Sequence, residues 1–184
     1  CKVAKCSNAA MGMKYSGSHR NANACPTTAC SKAPTGFYLA QKGACGTKPC
    51  DKAKDGQHYI SHGGTENNCP VSDCTAAAVG YYYTGSHVSE NKCPTKKCAD
   101  APTGFYLYKS GACSSTVCTG AKAGQYYTSH GGVTNSCPTN SCTNALVGTV
   151  YTGFGRNANN CTTKGCANAA TGYFSSGNGV SPQS

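Results

Sequence analysis

This chain of 184 residues carries 16 Lys and Arg against 6 acids, a net charge of +10, with 16 Cys, 23 Gly and no Trp. Leu, Ile, Val and Phe make up roughly a tenth of it, too little for apolar burial alone to offset a backbone ordering cost of about 1–2 kcal/mol per residue. That excludes a conventional aliphatic core, and no apolar run approaches the ~20 residues of a membrane-crossing helix.

Cysteine supplies the missing constraint, as in disulfide scaffolds made in oxidising compartments. The cysteines fall as eight C-x4-C pairs: Cys1/Cys6, Cys25/Cys30, Cys45/Cys50, Cys69/Cys74, Cys93/Cys98, Cys113/Cys118, Cys137/Cys142 and Cys161/Cys166. Successive pairs start 24, 20, 24, 24, 20, 24 and 24 residues apart, a 68-residue super-repeat of module types A-B-C in which B is the short form. The expected organisation is residues 1–68 (three modules), 69–136 (three modules) and 137–184 (two modules and a tail). The first residue is Cys1 rather than Met, which reads as a removed leader or a segment of something longer.

Along each module the same signals recur. Eight residues after the first Cys stands alanine (Ala9, Ala33, Ala53, Ala77, Ala101, Ala121, Ala145, Ala169), and three later glycine (Gly12, Gly36, Gly56, Gly80, Gly104, Gly124, Gly148, Gly172). The glycine predicts a positive φ or a backbone pressed against a neighbour, and the alanine a spot with room for a methyl only. Aromatic pairs follow, as Phe37-Tyr38, Tyr82-Tyr83, Phe105-Tyr106, Tyr126-Tyr127 and Tyr173-Phe174, and read as short strands leaving a turn. Pro26, Pro70, Pro94 and Pro138 directly follow a first Cys and are expected to help close the C-x4-C loop. Asn23, Asn67, Asn91, Asn135 and Asn159 stand two before the next Cys, which reads as tolerance of left-handed turns. The fold expected is a small disulfide-rich, extended array of eight modules with short β-hairpins and little or no helix.

All sixteen cysteines are expected as disulfide cysteines, and two connectivities fit their spacing. Each C-x4-C can close on itself, as Cys1–Cys6. Alternatively the second Cys of one module joins the first of the next, as Cys6–Cys25 through Cys142–Cys161, leaving Cys1 and Cys166 to join molecules or parts of a longer chain. Loop entropy favours these by about 2 and about 3 kcal/mol per bond, too close to choose.

The recurring C-x4-C-x2-A-x2-G-x-Y pattern resembles the cysteine-rich repeats of protist surface proteins, namely ciliate immobilisation antigens, and the ephrin-receptor-like repeats of extracellular proteins. The resemblance implies an extracellular rod, coat or filament and brings no catalytic residues.

No other constellation competes. Ser18-His19, Ser61-His62, Ser86-His87 and Ser129-His130 align as turn or surface histidines rather than as a metal row, because disulfide cysteines cannot ligate zinc and acids are scarce. No nucleophile, His and carboxylate set stands out, so no enzyme, cofactor or metal is expected. Asn160-Cys161-Thr162 is an N-glycosylation acceptor, and Thr27, Thr95 and Thr139 beside their prolines are O-glycan candidates. The function expected is a structural subunit of an extracellular filament or cell-surface coat, a glycoprotein that self-associates, with no nucleic acid partner and no membrane insertion. The alternative is a soluble adhesin or lectin-like module that engages anionic glycans through its lysines.

Overall fold

A computed structural model describes residues 2–167 and Thr171. Cys1, Ala169, Gly172, the Tyr173-Phe174 pair and the tail of the third super-repeat therefore lie outside the described residues. Among the described residues there is no helix, and the strands form two-stranded antiparallel hairpins. These are β1 (Met13–Tyr15) with β2 (Thr27–Ala29), β3 (Phe37–Leu39) with β4 (Thr47–Pro49) and β5 (Gln57–Tyr59) with β6 (Val71–Asp73). Next come β7 (Tyr81–Tyr83) with β8 (Thr95–Lys97), β9 (Phe105–Leu107) with β10 (Ser115–Val117), β11 (Gln125–Tyr127) with β12 (Thr139–Ser141), and β13 (Thr149–Tyr151) with β14 (Thr163–Gly165). A small disulfide-rich repeat array is the result.

The strand positions follow from the glycine and the cysteines. Each odd-numbered strand is the three residues after the repeated glycine, and each even-numbered strand lies inside a C-x4-C pair of the following module. The glycine is the third residue of a turn closed by a hydrogen bond, as Phe37 N–H to Pro34 O at 3.0 Å, with φ of +78° at Gly36 and +79° at Gly104. That combination is a type II turn, which needs a residue without Cβ at this place. The second Cys of each pair then donates its N–H to the same glycine's carbonyl, from Cys30 to Gly12 at 2.8 Å through Cys166 to Gly148 at 2.8 Å.

Connectivity follows from the same geometry. A C-x4-C pair built on a β-strand holds its cysteines about 16 Å apart, whereas a disulfide needs Cα atoms within about 7 Å. Self-closure is therefore ruled out, and the ladder forms: Cys6–Cys25, Cys30–Cys45, Cys50–Cys69, Cys74–Cys93, Cys98–Cys113, Cys118–Cys137 and Cys142–Cys161. Cα separations are 6.1 Å in rungs that span a long module and 5.4 Å at Cys30–Cys45 and Cys98–Cys113. Proline after the first Cys closes no loop. It precedes the strand, where its missing N–H costs nothing, and its carbonyl accepts from the preceding odd strand's exit, as from Ile60 N–H to Pro70 O at 3.0 Å.

By contacts the chain divides into two compact units, Cys1–Ala77 with Tyr83–Lys96 and Ala78–Tyr82 with Lys97–Ser184. In the first unit Cys50, Tyr59 and Cys69 form a buried cluster covered by Tyr38 and Ala53. In the second, Cys98, Ala101 and Leu107 are covered by Tyr82 and Phe105, and Cys142, Ala145, Tyr151 and Cys161 by Tyr126. A core of this kind is a disulfide, an alanine and one tyrosine or leucine per step, which is why so few aliphatic residues suffice.

Candidate functional site

Because the ladder is regular, the side chains with chemical potential fall on repeated positions. The last residue of each odd strand is tyrosine in long modules (Tyr15, Tyr59, Tyr83, Tyr127, Tyr151) and leucine in short ones (Leu39, Leu107). Each of these tyrosine hydroxyls accepts a hydrogen bond from the repeated alanine's N–H, at 2.9 Å for Ala121 to Tyr127 and 3.1 Å for Ala145 to Tyr151. The same ring or leucine covers the preceding module's glycine. A methyl placed at Gly124 would lie 2.8 Å from Tyr151 Cδ2, and one at Gly56 2.8 Å from Tyr83 Cδ2. These strand-end tyrosines are thus engaged in packing and hydrogen bonding within the array.

The asparagines before the first Cys are clips, not left-handed turns: among the described residues no non-glycine has a positive φ. Asn91 Oδ1 accepts from Thr75 N–H at 2.8 Å while its Nδ2 donates to Thr75 Oγ1 at 2.7 Å. Asn23 clips Ser7, Asn135 Thr119 and Asn159 Thr143 in the same way, and Asn67 clips Asp51 through its carboxylate. Each clip bridges the residues flanking one long rung. Sequence spacing shows that asparagine recurs there, but the partner, one residue past the second cysteine of the same module, emerges only from the ladder connectivity.

The glycosylation candidates fall on the outer side of this framework. Asn160 is exposed, and among the described residues its side chain has no hydrogen-bond partner, unlike the five clip asparagines. Thr95 begins β8 and Thr139 begins β12, both exposed, and Thr27 begins β2, half-buried. The even strands as a group are exposed and polar, so these hydroxyls lie on a strand surface that the core does not use.

The histidines shape turns. His62 Nδ1 accepts from Gly64 N–H and His130 Nδ1 from Gly132 N–H, both at 3.0 Å, and His87 Nδ1 accepts from Glu90 N–H at 3.0 Å. Among the described residues no group of three or more His, Cys, Asp or Glu is placed to hold a metal ion. Among the described residues Glu90 Oε2 pairs with Lys92 Nζ at 2.6 Å, and His130 Nε2 lies 3.8 Å from Asp100 Oδ2. The hydrogen bond and then the charge of Lys92 hold the Glu90 carboxyl below its ordinary range, and Glu90 raises Lys92 in return.

Cys166 completes the inventory. The spacing groups it with the disulfide cysteines, yet its thiol is free and exposed just after β14, and the other described cysteines are all paired. Compared with protein families, curated proteins and solved structures, the chain matches no family model, no curated protein and no solved structure.

Proposed function

We propose that this chain is a structural subunit of an extracellular filament or cell-surface coat, built by self-association of disulfide-stapled modules and carrying glycans on its exposed strands. The observation that supports this reading most is the uniformity of the step from one module to the next. Every described step uses the same glycine turn, the same strand pairing, one disulfide and one buried or half-buried tyrosine or leucine at the strand end. A surface that packs against its own successor is chemically suited to pack against another copy. The disulfide density is that of secreted or surface proteins, and among the described residues no helix is long and apolar enough to cross a membrane. Cys166, exposed and unpaired, is the natural place for one further rung.

Sedimentation of the oxidised chain over a range of concentrations, followed by non-reducing electrophoresis, tests this. The expected result is a concentration-dependent series of multimers. A single monomeric species at all concentrations would contradict the proposal.

A further inference from the structure

Where the centre of an odd strand is tyrosine, its ring packs on a disulfide of the following module. Tyr38 covers the cluster of Cys50, Tyr59 and Cys69, and Tyr126 that of Cys142, Tyr151 and Cys161. At the centre of β5 stands His58 instead, one super-repeat before Tyr126. Its Nδ1 lies 3.7 Å from Cys74 Sγ, within reach of a sulfur acceptor. Among the described residues, the other disulfide sulfurs drawn to a polar atom lie against backbone carbonyls: Cys69 at Phe37, Cys93 at Gln57, Cys137 at Phe105 and Cys161 at Gln125.

Two rungs in equivalent places therefore differ in one ring. Cys74–Cys93 and Cys142–Cys161 each span 19 residues with Cα atoms 6.1 Å apart. Their cysteines are 7% and 6% exposed in the first and 7% and 3% in the second, so burial does not separate the two rungs. Cys93 lies 3.3 Å from Gln57 O, as Cys161 lies 3.2 Å from Gln125 O. On the other sulfur the first rung has an imidazole, while the second has a phenol in its cluster.

The groups around His58 are engaged elsewhere. Opposite it in β6 is the uncharged Ser72, and the adjacent Asp73 accepts from Gln57 Nε2 at 3.2 Å. On the other edge it is bridged to His87, whose Nδ1 accepts from Glu90 N–H, and Glu90 is paired with Lys92. From β7 the Tyr83 hydroxyl accepts from Ala77 N–H and donates to Cys74 O. Cys74 N–H is also bonded to Gly56 O at 2.6 Å, so opening of the module at its Cys93 end leaves Cys74 beside the imidazole.

We infer that Cys74–Cys93 is a thiol-reactive rung, opened by small thiols of the glutathione class with His58 assisting the departing sulfur. A thiolate attacks Cys93 Sγ, the S–S bond breaks, and its electron pair goes to Cys74, whose thiolate is stabilised by the His58 imidazolium. A mixed disulfide remains on Cys93. A second thiolate attacks the small molecule's sulfur in it and releases the oxidised dimer, and the Cys93 thiolate takes a proton from water. Two small thiols are thus oxidised and one rung is reduced. An adjacent imidazolium lowers a thiol's pKa and makes it the better leaving group, which a phenol cannot do. This reactivity is independent of the assembly proposed above.

The test uses the oxidised full chain with its free thiols blocked by N-ethylmaleimide. It is exposed to glutathione for set times, quenched with iodoacetamide and mapped by mass spectrometry without further reduction. At about pH 6, Cys74–Cys93 should open about tenfold faster than Cys142–Cys161, with glutathione found on Cys93 rather than Cys74. Both rungs meet the same thiolate concentration, so their rate ratio isolates the imidazole. That ratio should fall as pH rises past the ordinary histidine value of about 6.5. His58→Tyr copies the residue at position 126 and should abolish the advantage, while Tyr126→His should speed the opening of Cys142–Cys161. Equal opening of the two rungs in the parent chain, glutathione on Cys74 or a ratio indifferent to pH would overturn the inference. So would an advantage that survives His58→Tyr, or a Tyr126→His rung no faster than its parent.

Discussion

In the long modules a tyrosine stands three residues after the repeated glycine, and in the short ones a leucine does: Tyr59 and Tyr127 against Leu39 and Leu107. Both are buried and both cover the glycine of the preceding module. The tyrosine adds a hydrogen bond to the alanine N–H, and the long loop adds an asparagine clip across its rung. The short loop has neither. It is four residues shorter. Long loops reach back to cap a glycine two modules upstream: a methyl at Gly36 would lie 2.6 Å from Val88 O, at Gly80 2.9 Å from Val133 Cγ1 and at Gly104 2.9 Å from Arg156 O. At Gly56 and Gly124 the three nearest atoms all belong to a tyrosine, Tyr83 and Tyr151 respectively. The residue after the glycine is Phe37, Tyr81 or Phe105 beside the loop-capped glycines Gly36, Gly80 and Gly104, and Gln57 or Gln125 beside these two. Arg156 makes the cap explicit, its guanidinium 5.3 Å over the Phe105 ring. The difference teaches that the repeated glycine is packed in two ways, by a tyrosine ring alone or by a ring or leucine together with a long loop.

The glycines offer the strongest way to break this comparison. Gly104→Val places a branched side chain at φ +79° against Arg156 O and Tyr127, and the expected loss is about 2–5 kcal/mol in urea unfolding with disulfides intact. Gly120→Ala has nothing within 4 Å and should be neutral or stabilising by about 0.4–1 kcal/mol. Equal effects at the two sites would refute the packing role.

A smaller effect separates tyrosine from leucine. Tyr127→Phe keeps the buried ring but leaves the Ala121 N–H without its acceptor, at an expected cost of about 1–3 kcal/mol. Recovery of full stability in this variant would show that the ring alone matters, as leucine does in short modules. Asn135→Ala removes an exposed clip and should cost about 1 kcal/mol, while Asn157→Ala, exposed and outside any clip, should stay within about 0.5 kcal/mol of the parent.

The smallest effect expected is at Glu90 and Lys92. Lowering of the Glu90 value means its contribution is present above the ordinary carboxylate range and lost as pH falls through the lowered value. Raising of Lys92 means its contribution is present below the ordinary lysine range and lost as pH rises through the raised value. Both groups are fully exposed, so screening leaves little of either. Glu90→Gln should shift the urea midpoint least of these variants at neutral pH, and not at all in molar salt. A shift comparable to that of Asn135→Ala would show the pair to be structural.

Much of this was legible in the sequence. The module length, the glycine turn, the short strand after it and the methyl-sized alanine all recur in register, and recurrence within one chain reports what each module needs to fold. The disulfide partners were not legible, because loop entropy barely separates the two schemes. They became decidable only once C-x4-C proved to be a strand that holds its cysteines apart. The asparagine clips and the loop caps were hidden for a related reason: a clip's partner lies 16 residues away across a rung and a cap's two modules away, and a periodic sequence does not say which of its repeated positions touch. Pro26, Pro70, Pro94 and Pro138 read as loop formers because proline is common in turns, whereas here they stand at strand entries. Among the glycosylation candidates, Asn160 differs from the clip asparagines only through the hydrogen bonds its neighbours make.

Negative-stain electron microscopy of the native, unreduced material tests the structural role most directly. Uniform filaments or a continuous lattice with an axial repeat set by the chain are the expected result. Separate particles of one chain each, at concentrations where secreted material accumulates, would contradict it.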